Sequence, residues 1–296
     1  MAYRNIRIES GSNIKIKDAQ LIINDVSIPI EDINSLMLEN RSSNISIYTL
    51  AKLAESGAVT FVCDEKHLPS GILLPLNQHS RCLKQLRLQT NASKPLLKQM
   101  WKSIVQQKIF NQGRCLEFRN KESSYVKKLS ERVQSGDKTN LEAQAAIKYF
   151  RLLFGTDFLR REDDIINAAL NYGYAIFRGC IARTIVVHGF DPVIGINHHS
   201  ELNAFNLADD LIECYRPLVD LYVADNLESW EKGELSSQIK RELYNLVNYD
   251  VRIGDKTFIF SSSVDIVVES YLRSLQSGIN KLELPELIAL KQHKYE

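Results

Sequence analysis

The 296-residue chain has little of what would place it in a membrane or a disulfide scaffold. It contains no run of about 18 uncharged apolar residues, the minimum for a bilayer span. Its most apolar region, Ala168 to Val187, is broken by Arg178 and Arg183, so no membrane helix is expected. The opening MAYRNIRIES lacks the apolar core of a signal peptide, and the expected location is the cytoplasm. Five scattered cysteines (Cys63, Cys82, Cys115, Cys180 and Cys214) include no Cys-x-x-Cys pair. Reduced thiols are therefore expected, with neither a disulfide framework nor a thiolate zinc site. Gly-x-Gly-x-x-Gly and the Walker pattern are both missing, which argues against a nucleotide-driven motor, and no Ser or Cys sits in a recognisable nucleophile elbow. There is no internal repeat. With 44% hydrophobic and 25% charged residues, the composition excludes disordered, collagen-like and low-complexity architectures. The length suggests two domains, each large enough to bury a core.

The net charge of +1 conceals an asymmetry. Between Arg81 and Lys128, twelve Lys or Arg face two acids, Glu117 and Glu122, giving +10 and leaving −9 for the remainder. Such a segment points to a polyanionic partner. Arg81, Lys84, Arg87, Lys94, Lys98 and Lys102 are its leading candidates for contact with such a partner. Lys94, Lys98 and Lys102 recur at every fourth position and share one stripe of a helix, with Lys94 expected just outside it because Pro95 follows. The plainer alternative is a solvated helix face.

The first 78 residues read as a β-rich domain. Asn5–Ile8, Asn13–Ile16 and Ser27–Ile30 alternate apolar and polar residues, while Leu21–Ile23 and Leu36–Leu38 look more deeply buried. Leu50, Leu53 and Ala54 mark one helix, stopped by Gly57, and strand patterns return at Val59–Cys63 and Ile72–Leu74. After a boundary near residues 77–82, no proline occurs between Pro95 and Pro192, which favours long helices. Helices are expected over Asn140–Phe154, Asp164–His188, Asn203–Tyr222 and Ser263–Ser277, with a small hairpin over 251–260. Strands followed by helices predict an α+β protein: an N-terminal β domain (1–78) and a larger, mostly α-helical domain (82–296).

The segment Gly195 to Pro217 is richest in chemistry. His198 and His199 precede a helix carrying Asp209, Asp210 and Glu213, while Phe205, Ala208, Leu211, Ile212, Tyr215 and Leu218 would pack inward. Asp210 and Glu213, three positions apart, project from one side, and Pro217 should loosen the helix because it cannot donate to Glu213. An imidazole beside carboxylates suits Mg²⁺ or Mn²⁺ more than zinc. Glu142, in the first turn of a helix with small neighbours, is the best third ligand. Each feature also has an ordinary reading. Asp210 and Glu213 fit a solvated helix face, Glu213 fits a pair with Arg216, and the histidines fit a plain loop. Glu142 fits a charge complementing the helix dipole.

Taken together, these residues resemble the CRISPR-associated protein one family. Gly195-Ile196-Asn197-His198 and Leu207-Ala208-Asp209-Asp210-Leu211-Ile212-Glu213 through Arg216-Pro217 match its Gly-x-x-His segment and its Leu-Ala-x-Asp-Leu-x-Glu-x-x-Arg-Pro helix. Asn167 to Tyr174 matches its Asn-Ala-x-Leu-Asn-Tyr-Gly-Tyr segment, and Glu142, Ala146, Tyr149 and Phe150 match a third motif. Cys214-Tyr215 departs from the Pro-Phe that is common in relatives. The β domain and Cys63–Pro69 resemble the type II subtype, which accompanies a single large effector nuclease. The resemblance implies Glu142, His198 and Glu213 as metal ligands and catalytic residues, with His198 preferred to His199 by its place in the motif, and Asp210 assisting. It implies an endonuclease and integrase of CRISPR adaptation, using Mg²⁺ or Mn²⁺ to insert short foreign DNA into a CRISPR repeat by 3′-hydroxyl transesterification. The implied partners are spacer-precursor and repeat DNA, a second copy through the β domain, and the small dimeric CRISPR-associated protein two in a heterohexamer. A DNA-binding scaffold without catalysis and a general metal-dependent repair nuclease are the alternatives.

Overall fold

The computed structural model describes residues 4–76, 79–230 and 234–293. Asn77 and Gln78, at the expected boundary, lie outside them. The chain divides into two compact units, residues 1–86 with 179–191, and residues 87–178 with 192–296.

The first unit is built on β1 (Arg4–Ile8), β2 (Asn13–Lys17), β3 (Gln20–Ile23), β4 (Val26–Pro29), β5 (Ile33–Leu38), β6 (Asn44–Ile45), α1 (Ile47–Glu55), β7 (Val59–Cys63) and β8 (Pro69–Leu73). One sheet has the order β1-β5-β7-β8, parallel except for the β7/β8 hairpin. The other has the order β4-β3-β2-β6 and is antiparallel except at β2/β6. Alternation along the strands, with a register shift between β1 and β5 that skips Asn34, brings Ile8, Ile14, Leu21, Ile28, Ile33 and Leu36 into one core shared with Leu53 of α1. Ser46 starts α1 by accepting from the Thr49 amide at 3.1 Å. Gly179 packs closely against β7, since a Cβ there would lie 2.3 Å from the Phe61 ring.

The remaining elements are mainly helical: α2 (Cys82–Thr90), α3 (Lys94–Phe118), α4 (Ser124–Arg132), α5 (Leu141–Phe154), α6 (Ile165–Val187), α7 (Asn206–Ile212), α8 (Arg216–Asn226), α9 (Ser237–Asn245) and α10 (Phe260–Ser277). Strands β9 (Asp250–Ile253) and β10 (Lys256–Ile259) form the expected hairpin. The architecture is the α+β arrangement read from the sequence. Three details differ. Lys94 lies inside α3, because Ser93 is the N-cap and Pro95 occupies an early position where its missing N–H costs nothing. The helix expected over Asn203–Tyr222 is two helices, α7 and α8, interrupted at Glu213–Tyr215, where Pro217 withholds the amide that would have continued the ladder. The short helices α2, α4 and α9 were not legible, since each buries no more than four side chains.

Long α3 carries Met100, Trp101, Ile104, Val105 and Ile109 as fully or almost fully buried residues, and it packs against α4, α5 and α8. Two buried polar ties fix the helices that bear the site. Asp220 on α8 accepts from Tyr149 of α5 at 2.9 Å and from Tyr174 of α6. Asn111 of α3 donates to the carbonyls of Cys214 at 2.8 Å and Pro285 at 2.9 Å, and accepts from the Leu287 amide at 3.0 Å. It thus satisfies a carbonyl stranded by the break between α7 and α8 and pins the C-terminal strand-like tail to the same point.

Candidate active site

Glu142 is presented by the first turn of α5. The Asp137 carboxylate caps that turn, accepting from the amides of Leu141 at 2.9 Å and Glu142 at 3.0 Å. Asn140 adopts a left-handed conformation and accepts from Ala143. Together these contacts hold the Glu142 backbone before its side chain makes any contact.

Glu213 sits at the end of α7, with its side chain only 5% exposed. Its Oε1 lies 3.2 Å from Arg216, which in turn stacks over the Tyr174 ring at 4.8 Å. Its Oε2 is buried and lies 2.5 Å from the Lys108 ammonium, which forms an ion pair with it. The same ammonium donates to Glu142 Oε1 at 2.6 Å. Glu142 and Glu213, 71 positions apart in sequence, therefore converge on one cation. Burial alone would push the Glu213 carboxyl up, but Arg216 and Lys108 outweigh it and hold it below the usual carboxylate value. Burial would likewise lower the Lys108 ammonium, yet Glu213 and Glu142 keep it above its ordinary value and firmly charged.

His198 is placed by Asp210, which is fully buried on α7. Asp210 Oδ2 accepts from the amides of Ile196 at 2.5 Å and Asn197 at 3.0 Å, and Oδ1 accepts from the His198 amide at 3.2 Å. Oδ1 also meets His198 Nδ1 at 2.7 Å. A carboxylate only accepts, so Nδ1 carries the proton and Nε2 is the nitrogen left to ligate. The Asp210 hydrogen bond holds the imidazole above its ordinary value against the opposite pull of burial. Gly195 makes the tight loop possible, because a Cβ would lie 2.3 Å from the His198 carbonyl oxygen and 2.8 Å from Asp210 Oδ2. The Trp101 ring meets the imidazole edge-on at 5.7 Å.

Asp210 and Glu213 are thus buried and engaged, and the solvated-face reading does not hold. The pairing of Glu213 with Arg216 does. Asp210 orients His198, whereas neighbouring His199 is exposed. Arg81 and Lys84 fall in the first unit and Arg87, Lys94, Lys98 and Lys102 in the second. All are exposed except Lys102, which is half-buried. Lys108, Asp137 and Asn111 escaped the sequence reading. Only Lys108 left a signal: it follows Ile104 by four positions, a core place for a lysine.

Two carboxylates and an imidazole are the donor set that a hard divalent cation takes. The buried Glu213 Oε2, engaged by a cation already, fits such an ion. Among the described residues, however, no three His, Cys, Asp or Glu side chains are grouped closely enough to hold one, and the cation between the carboxylates is Lys108.

The chain matches the protein-family model described as CRISPR associated protein Cas1 over residues 6–238. It is 40% identical over 304 residues to the CRISPR-associated endonuclease Cas1 of Neisseria meningitidis serogroup C (strain 8013), covering 100% of both chains. Its fold is similar to a casposase bound to integration product, with TM-score 0.76 and 21% identity over 94% of this chain and 91% of that one. It is also similar to a chain of a Cas6-RT-Cas1–Cas2 complex, with TM-score 0.71 and 18% identity over 96% of this chain and 36% of that one.

Proposed function

The chain belongs to the Cas1 family of CRISPR-associated proteins, and from that premise we propose that it is a metal-dependent DNA endonuclease and integrase of CRISPR adaptation. The reaction is attack by the 3′-hydroxyl of a short DNA duplex on a phosphodiester at the edge of a CRISPR repeat. The observation that carries this reading is the convergence of Glu142 and Glu213 on one cation, with Glu213 within electrostatic reach of a histidine oriented by a buried carboxylate.

Glu142, His198 and Glu213 are the residues that would hold Mg²⁺ or Mn²⁺. When bound, such an ion lowers the proton affinity of the attacking hydroxyl and offsets charge on the phosphate. The chain supplies the rest. Asp210 fixes the imidazole, Asp137 fixes the first turn that carries Glu142, and Arg216 with Tyr174 holds the second oxygen of Glu213. Lys94, Lys98 and Lys102, one stripe of α3, together with Arg81, Lys84 and Arg87, would bind DNA phosphates, contacts that carry little sequence information. A second copy docked through the β-rich unit and a Cas2-type partner complete the assembly. The likeness to a chain of a Cas1–Cas2 complex supports the latter. Among the described residues no helix is long and apolar enough to cross a membrane; action on DNA in the cytoplasm is part of the proposal.

The test is strand transfer. A duplex with free 3′-hydroxyls is incubated with a supercoiled repeat-bearing plasmid, Mn²⁺ or Mg²⁺ and the Cas2-type partner, beside the Glu142→Ala variant. Metal-dependent joined product that disappears in the variant is the expected outcome. Cutting without joining would instead make the protein a repair nuclease, and DNA binding with neither would make it a scaffold.

A further inference from the structure

The carboxylates of the site already hold a positive charge, and it belongs to the chain. Lys108 reaches from the middle of α3 with its side chain 10% exposed, and its ammonium stands 2.6 Å from Glu142 Oε1 and 2.5 Å from Glu213 Oε2. No other cation reaches both carboxylates among the described residues; Arg216 engages Glu213 alone, through Oε1. A divalent ion ligated by the same two oxygens at about 2.0–2.2 Å would overlap the space of the ammonium. The two cations therefore exclude one another sterically as well as by like charge in a poorly solvated setting.

We propose that Lys108 is a resident competitor for the metal position. It neutralises Glu142 and Glu213 in the metal-free protein and must swing aside for a divalent ion to bind. This rests on the metal-dependent reading above. The geometry also says why the exchange is feasible. Among the described residues the ammonium is held by these two carboxylate contacts alone, to Glu142 and to Glu213, so no third group has to release it. Glu142 is 25% exposed and gives the ammonium a solvent-facing side on which to leave. With Lys108 in place the carboxylates do not repel, so the metal-free protein keeps a packed site. The cost is weaker binding of the ion.

The test is Lys108→Met, which preserves length and packing while removing the charge, in the full chain. Mn²⁺ titrations by calorimetry are run on the wild type, Lys108→Met and Glu142→Gln, and thermal unfolding is followed in chelator and in Mn²⁺. The expected result is Mn²⁺ affinity at least about 10-fold tighter in Lys108→Met than in the wild type, a separation of one decade being about 1.4 kcal/mol. Unfolding should occur at lower temperature in chelator and rise further on Mn²⁺ addition than in the wild type. Should Lys108→Met not fold without metal, Lys108→Gln replaces it, with the same expected direction. Wild-type binding that Glu142→Gln abolishes but Lys108→Met leaves unchanged or weakens overturns the proposal while sparing the metal site. Absence of Mn²⁺ binding in the wild type and in Lys108→Met alike overturns both.

Discussion

Asp210→Asn is the most informative single change, because one buried carboxylate organises the whole histidine loop. The substitution preserves shape but replaces one acceptor oxygen by an NH₂ group. Four donors face the carboxylate: the amides of Ile196, Asn197 and His198, and the His198 ring. Each oxygen serves two of them, so the amide leaves two donors facing another donor. At about 1–3 kcal/mol for each buried group left unpaired, the variant should lose about 2–6 kcal/mol. Urea unfolding followed by tryptophan fluorescence suits the measurement, since Trp101 and Trp230, the two tryptophans of the chain, both lie in the second unit. A second readout separates this arrangement from mere packing. The Asp210 hydrogen bond is what holds the His198 imidazole above its ordinary value, so its NMR titration should move downward in the variant. A stability within about 1 kcal/mol of the wild type, or an unmoved His198 titration, would refute the reasoning.

Two further outcomes are expected. Replacing Lys94, Lys98 and Lys102 together with Gln should weaken duplex DNA binding and reduce the slope of log affinity against log salt by roughly 0.9 for each lost phosphate contact; an unchanged slope would mean that the stripe is only solvated surface. Asp220 gives a pH signature. Burial pushes its carboxyl up to about 6 despite the Tyr174 and Tyr149 hydrogen bonds. The folded state therefore binds this proton more tightly than the unfolded state, so its stabilising contribution is complete below about pH 4 and is lost as the pH rises through about 6. The stability of the wild type minus that of Asp220→Asn should fall by about 3 kcal/mol across that window, and a pH-independent difference would count against it.

The elements that local pattern controls were legible in the sequence. Alternating Ile residues in β1, β2 and β4 and the proline-free stretch before Pro192 specify strands and helices because side-chain direction follows backbone period. His198 and Asp210 were also visible as neighbours-to-be, being only 12 positions apart on one loop and one helix turn. Spacing alone could not separate a solvated acid from a buried one. Asp210 and Glu213 occupy positions that an amphipathic helix ordinarily exposes, and they are buried because α7 has almost no solvated face: six of its seven residues are buried. Lys108 reads as one of twelve basic residues in its segment, and only the approach of α5 and the end of α7 to α3 makes it the counter-ion of two carboxylates. Asn111 is likewise uninformative until the break at Cys214 and the tail at Pro285 meet it. The sequence determined which segments are strands and helices and which residue types carry chemistry. The tertiary structure decided which charges share a desolvated space, because electrostatic partnership depends on distance and burial and not on position along the chain.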